Sequence, residues 1–171
     1  MAELEIRAAG EADLPQLTEI YNHYIVNTAF TFDVEPFSVE LRRNEWFSHY
    51  APSGPHQVLV AISAGGSVEG FTYSSSFRPK AAYATSVETS VYCAPEATGR
   101  GIGRQLYEAL FDELAQTDVQ RALALITRPN EPSEALHRKM GFELSGVWTD
   151  VGRKFDRNWD VAVWQRAIRL D

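Results

Sequence analysis

The strongest constraint on how this chain can fold lies in its middle. A stretch rich in Thr, Val and Tyr runs to Cys93, followed by Pro95-Glu96-Ala97-Thr98-Gly99-Arg100-Gly101-Ile102-Gly103 and then a regular helical stripe. Leu106, Leu110 and Leu114 follow Ile102 at every fourth position, and Tyr107 and Phe111 widen the stripe. The segment reads as strand, glycine turn, amphipathic helix. Glycines let a backbone turn tightly and approach a phosphate closely, and a helix start offers unpaired N–H groups and the positive end of its dipole. Arg100 and Arg104 add formal charge. The same glycines also suit an ordinary strand–helix connection, so the turn alone indicates phosphate binding without proving it. Two familiar phosphate loops do not fit. The Gly-Lys-Ser/Thr of a P-loop is missing, and the third glycine of a dinucleotide fingerprint is replaced by Arg104 or Leu106, depending on the starting glycine.

Around this segment the pattern predicts further elements. Leu4, Ile6 and Ala8 alternate with polar residues, giving a strand over Glu3–Ala9. Asp13 offers an N-cap and Pro15 suits a first helical turn, with Leu14, Leu17, Tyr21, Tyr24 and Ile25 at helical spacing. Asn27 to Pro36 reads as a loop with exposed Phe30 and Phe32, and Ser38 to about Tyr50 as a second helix. Gln57–Ala64 and Ser67–Ser76 form a hairpin around Gly65-Gly66, a two-residue turn signal. Tyr83–Cys93 is the strand before the glycine turn. Arg121–Thr127 is a strand, Pro132–Met140 a short helix ending at Gly141, and Phe142–Val151 and Trp159–Ile168 are the last strands. Hairpins first and βαβ units in the middle give an α/β fold, with a mixed sheet carrying helices on both faces.

At 171 residues the chain fits one domain, 1–171, with no repeat or linker. A formal net charge of −7 argues against broad nucleic-acid or anionic-membrane binding, while leaving room for a locally positive pocket. One cysteine, an acidic N-terminus and no long apolar run lead to the expectation of a cytoplasmic protein without disulfide or metal.

The turn resembles the acyl-CoA-binding motif of the GNAT acetyltransferase superfamily, Arg/Gln-x-x-Gly-x-Gly/Ala, with Thr98 in the first position of Thr98-Gly99-Arg100-Gly101-Ile102-Gly103. Within that superfamily the chain is similar to the phosphinothricin/methionine sulfoximine N-acetyltransferases over nearly its full length. The matching pieces are Ile20-Tyr21-Asn22-His23-Tyr24-Ile25, Thr31-Phe32-Asp33, Phe77-Arg78-Pro79-Lys80-Ala81-Ala82-Tyr83 and Val87-Glu88-Thr89-Ser90-Val91-Tyr92. Asn130-Glu131-Pro132-Ser133, Leu136-His137, Val151-Gly152-Arg153-Lys154 and Trp159-Asp160-Val161 continue the match. The resemblance implies the GNAT fold, a mixed sheet of about seven strands flanked by about four helices. It also implies acetyl-CoA as co-substrate, a small amino acid analogue as acceptor, and a homodimer. A polyamine, aminoglycoside or peptide N-terminus is the alternative acceptor, and a non-catalytic acyl-CoA-binding domain the alternative class.

Site residues follow from the same matches. Glu88 shares a strand face with Ser90 and Tyr92, and a carboxylate there is either salt-bridged or perturbed. The resemblance makes it the base that takes a proton from the acceptor ammonium, since only a free amine attacks a thioester. His137 sits where many relatives carry a tyrosine that protonates the leaving thiolate. It reads as that acid, as a substrate contact, or as a helix-end histidine satisfied by carbonyls. Gly99, Arg100, Gly101, Ile102, Gly103 and Arg104 are expected to hold the pyrophosphate, with backbone amides and Arg100 carrying most of the grip. Val91, Tyr92 and Cys93 supply the strand amides that polarise the thioester carbonyl. Asn130 is an N-cap, and by resemblance a contact of the pantetheine arm. Arg78, Lys80 and Tyr83 read as a cluster that receives a carboxylate, which Arg binds in bidentate fashion, or as a solvated basic loop, and Phe30 and Phe32 as lining of the acceptor pocket or as core. Lys154, Trp159 and Asp160 form a family-like tail. Trp148, Trp159 and Trp164 are available to an interface.

Overall fold

A computed structural model of the chain describes residues 4–169. Its strands are β1 (Glu5–Ala8), β2 (Gln57–Ile62), β3 (Val68–Ser76), β4 (Ser86–Cys93), β5 (Arg121–Arg128), β6 (Glu143–Lys154) and β7 (Arg157–Ala167). Its helices are α1 (Leu14–Asn27), α2 (Val39–Glu45), α3 (Ile102–Leu114) and α4 (Glu131–Lys139). One sheet of seven strands runs β1-β2-β3-β4-β5-β7-β6, with β4–β5 as its single parallel pairing. The expected element order and fold are both present.

The two faces of the sheet are covered differently. Tyr21 and Tyr24 of α1 pack edge-on against Tyr92 at 5.1 Å each, and Trp46, just after α2, lies against Phe71 and Tyr73. This is the Glu88–Ser90–Tyr92 face of β4. On the other face Gly70 of β3 lets α3 approach the sheet closely, and Gly103 of α3 lets α4 approach α3. A Cβ on Gly70 would meet Leu106 at 3.3 Å, and one on Gly103 would meet Leu136 at 3.2 Å. The leucine stripe of α3 is fully buried, as its periodicity predicts.

Local chemistry departs from expectation at several places. The predicted first strand keeps Glu5–Ala8; Glu3 lies outside the described residues. Asp13 precedes α1 but does not cap it. Its carboxylate accepts from the Gly10 amide at 2.8 Å and takes a two-pronged bond from Arg7 at 2.8 and 2.9 Å, which holds it below the usual carboxylate range. The second helix stops at Glu45 and continues only as a 3₁₀ turn over Phe47–His49. The Gly65-Gly66 hairpin closes over three residues rather than two: Ser63 N–H donates to the Ser67 carbonyl and Gly66, at φ +83°, donates to Ser63. β4 begins at Ser86, because Ala81–Tyr83 form a 3₁₀ turn. α4 ends as expected: Gly141 at φ +80° lets Phe142 N–H reach the His137 carbonyl and Gly141 N–H reach Arg138, a Schellman closure.

Candidate active site

β4 and β5 are paired over only three positions, the last being Glu88 with Leu123. Beyond it the strands diverge, and the last link between them is the Thr89 hydroxyl donating to the Leu123 carbonyl at 3.2 Å. Backbone groups of Thr89–Cys93 that point toward β5 therefore have no strand partner; the Cys93 carbonyl accepts instead from the Tyr24 hydroxyl of α1 at 2.7 Å. A cleft of about 690 Å³ fills the wedge, walled by Thr89–Cys93, Ala124–Thr127, the glycine turn and α4. Unpaired strand amides in a roomy wedge suit a ligand with amide groups of its own.

One end of that cleft is built by the glycine turn. Gly99 and Gly101 adopt φ +75° and +79°, a conformation only glycine takes without strain, and Gly101 caps α3 with no side-chain bond. The first amides of α3 are left as open donors beside Gly99, Gly101, Ile102, Gly103 and Arg104, all on the cleft wall. Thr98, also on the wall, gives its hydroxyl proton to the Pro95 carbonyl at 2.9 Å. Arg100 is not on the wall. Its guanidinium is held by Glu69 at 2.7 Å, and that of Arg104, which does line the cleft, is held by Glu108 at 2.7 Å, so the open donors at the turn are backbone amides. Val91, Tyr92 and Cys93 line the wedge, and burial pushes the Cys93 thiol up to about 11, keeping it protonated. Asn130 caps α4 by accepting from Ser133 N–H at 3.3 Å, and it too lines the cleft.

Glu88 stands at the fork where the wedge begins. It is half-buried, and burial raises its carboxyl above the usual range while the positive charge of Arg78 draws it partly back. Arg78, Lys80 and the half-exposed Tyr83 gather just beyond β3, with Phe77 edge-on to Tyr83 at 5.7 Å. None of these, nor Phe32, nor Glu88 itself, is on the wall of the cleft. Of the cluster, Arg78 is near enough to Glu88 for its charge to act on the carboxyl. Phe32 rests on the backbone of β6, where a Cβ at Gly152 would come within 2.1 Å of its ring. Lys154 anchors the same loop by donating to the Thr31 carbonyl at 2.9 Å, and Trp159 donates to the Lys154 carbonyl at 2.8 Å. Asp160 accepts from the Asp150 amide at 2.9 Å. The family-like tail is thus a brace for the Thr31–Asp33 loop.

His137 is 3% exposed and lines the cleft. Its Nδ1 lies 2.7 Å from the Ser133 carbonyl, which can only accept, so the ring proton sits on Nδ1. Nε2 then accepts from the Tyr107 hydroxyl at 3.0 Å. Burial lowers the imidazole to about 4, so it is neutral near pH 7. Tyr107 belongs to the site and was read in the sequence only as part of a core stripe. The available signal was that a buried tyrosine hydroxyl needs a partner.

A sequence profile described as acetyltransferase (GNAT) domain matches residues 6–163. The chain belongs to the GNAT acetyltransferase family. It is 49% identical to a phosphinothricin N-acetyltransferase of Streptomyces coelicolor over 98% of both chains. It is 37% identical to an L-methionine sulfoximine/L-methionine sulfone acetyltransferase of Pseudomonas aeruginosa, covering 97% of this chain and 94% of that one. The crystal structure of a GNAT superfamily phosphinothricin acetyltransferase from Sinorhizobium meliloti, solved in complex with acetyl-CoA, superposes with a TM-score of 0.86 at 35% identity. It covers 96% of this chain and 88% of the other. The chain is thus an acyltransferase by family, and among its described residues no helix is long and apolar enough to cross a membrane.

Proposed function

We propose that this GNAT enzyme moves the acetyl group of acetyl-CoA to the α-amino group of a small amino acid analogue of the phosphinothricin or methionine sulfoximine/sulfone type. The observation that carries this reading is the place of Glu88, at the fork between the acyl-CoA cleft and the basic cluster headed by Arg78. The acceptor carboxylate pairs with Arg78, bringing the ammonium beside Glu88. That pairing neutralises the charge restraining Glu88 and makes the carboxylate a stronger base at the moment it is needed. The free amine attacks the thioester carbon and the C–N bond forms as strand amides of Val91–Cys93 take up charge on the carbonyl oxygen; that charge then returns to restore the carbonyl, the C–S bond breaks, and the remaining surplus proton on nitrogen passes to solvent. Tyr107, kept protonated by burial and oriented by His137, supplies a proton to the departing thiolate. His137 is then a positioning residue.

Homologues with these names and the glycine-turn geometry support acetyl-CoA as the co-substrate. We also read β6 as the face that meets a second copy in a homodimer. It is a twelve-residue edge strand exposing Leu144, Val147, Trp148 and Val151, whereas Trp164 is buried and Trp159 half-buried. The half-buried, protonated Cys93 suits the reducing cytoplasm. Thiol release from acetyl-CoA, measured over amino acids, their sulfone and sulfoximine analogues, phosphinothricin and polyamines, tests the activity. Turnover of the amino acid analogues is expected. Release with polyamines and with none of the amino acids would overturn the reading.

A further inference from the structure

One strongly basic side chain in the interior takes no part in the chemistry described so far. Arg42 of α2 is 3% exposed, and its Nε and Nη2 are sealed from solvent without a hydrogen-bond partner. Its guanidinium carbon lies 4.0 Å from the Tyr21 ring centre and 3.8 Å from that of Trp46, so the group is gripped between two aromatic rings, with Phe37 at 5.4 Å. Among the described residues no carboxylate comes within ion-pair distance of it. Cation–π contacts recover part of the cost of burying a guanidinium, but they leave its in-plane N–H donors unused. A buried cation of this kind ordinarily carries a paired anion.

Its surroundings on the sheet are phenolic. Trp46 also packs on Tyr50 and Tyr73, Tyr21 packs on Tyr92, and all four tyrosines lie near enough for the Arg42 charge to act on them or theirs on it. Tyr73 pairs in register with Ser90, on the same face of β4 as Glu88 and two residues from it, about 7 Å along the strand. That spacing matches the span from the amine to the side-chain head of a short amino acid. The Tyr21 hydroxyl is taken by Asp33, to which it donates, and by Thr31, so Arg42 with the phenols of Tyr50, Tyr73 and Tyr92 forms the set of donors, the complement of an oxyanion or a tetrahedral oxo group.

We infer that Arg42 is the specificity residue for an anionic or tetrahedral oxo head on the acceptor side chain, distinct from Arg78, which takes the α-carboxylate. The inference rests on the amino acid acceptor proposed above. It separates three acceptors by chemistry: phosphinothricin has an anionic phosphinate head, methionine sulfone a neutral tetrahedral head, and methionine neither.

The test compares kcat/KM for these three in wild type, Arg42→Met and Arg42→Lys, alongside the melting-temperature rise that each acceptor produces. Arg42→Met is expected to lose about 30- to 100-fold on phosphinothricin, less on the sulfone, and under about threefold on methionine, as loss of charged hydrogen bonds implies. Arg42→Lys should fall between. The ratio between acceptors is read within each variant, so a general loss of folded enzyme cancels. An unchanged phosphinothricin-to-methionine ratio in Arg42→Met would overturn the inference. If wild type turns over none of the three, the proposed function fails, and the melting shift alone decides about Arg42. Stabilisation by phosphinothricin that disappears in Arg42→Met supports the site, and stabilisation that persists refutes it.

Discussion

The Tyr107 hydroxyl sits 3.0 Å from Nε2 of His137, an imidazole whose only ring proton is engaged by the Ser133 carbonyl on its other nitrogen. The histidine therefore accepts, and the tyrosine holds the mobile proton. His137→Gln, which can still accept from Tyr107, is expected to keep most of kcat, whereas Tyr107→Phe should lower kcat about 10- to 100-fold with little change in the KM for acetyl-CoA. Steady-state kinetics of the two variants check this. A His137→Gln enzyme as impaired as Tyr107→Phe would return the acid role to the histidine.

The same imidazole links stability to pH. Its folded-state pKa is depressed to about 4 from 6.5, so the neutral form is the one the fold retains. The unfolded chain binds the extra proton first, so the contribution is present above about pH 6.5 and drains away as pH falls toward 4. Its full size is on the order of 3 kcal/mol. Denaturant unfolding at a series of pH values should show wild type losing stability across that window more steeply than His137→Gln. Parallel curves would mean that the histidine is not buried neutral.

Glu88 gives a second pH signature with the opposite sense of cause. Burial raises its pKa and Arg78 lowers it, so Arg78→Met is expected to move the acidic limb of kcat/KM to higher pH as well as raising acceptor KM. In wild type the limb of kcat should lie above that of kcat/KM, because a bound carboxylate neutralises Arg78. Glu88→Gln should reduce kcat by about 100-fold or more while acetyl-CoA still binds. Coincident limbs in wild type would show that the acceptor does not use Arg78.

Much of this arrangement was legible in the sequence, and what was not has physical reasons. The four-residue stripe of α3 and the glycines before it specified a strand–turn–helix unit, because one buried face and left-handed backbone positions leave few alternatives. The ion pair of Arg100 could not be read, because its partner, Glu69, is 31 residues away on β3, a proximity that no local pattern encodes. The β6–β7 turn was missed because Phe155 and Asp156 take φ +52° and +56° without the glycine or asparagine that normally marks such a turn. Strand assignments accordingly stopped short at Val151 and resumed only at Trp159. Tyr107 read as core, since periodicity reports which residues are buried and not which buried hydroxyl faces a histidine from another helix. Arg42 was invisible for the same reason.

Trp148 offers a test of assembly separate from chemistry. It is 41% exposed on an edge strand that also presents Leu144, Val147 and Val151. Trp148→Glu should shift the particle from dimer to monomer in light scattering, leaving the melting temperature of the folded unit within a few degrees, because little of the core touches it. A wild-type protein that is already monomeric at micromolar concentration would remove the proposed interface.

Gly152 tests how closely the acceptor side is built. Its backbone is not left-handed, so the glycine is required by space alone: a Cβ would lie 2.1 Å from the Phe32 ring and displace it. Gly152→Ala should therefore move the Thr31–Asp33 loop and raise acceptor KM several-fold, with the KM for acetyl-CoA unchanged because Phe32 is not on that cleft. The cause can be isolated. If the effect runs through the ring, Phe32→Ala together with Gly152→Ala should be no worse than Phe32→Ala alone, a coupling that two independent sites would not show. Additive losses in the double variant would place the action of Gly152 elsewhere on β6 and remove Phe32 from the acceptor pocket.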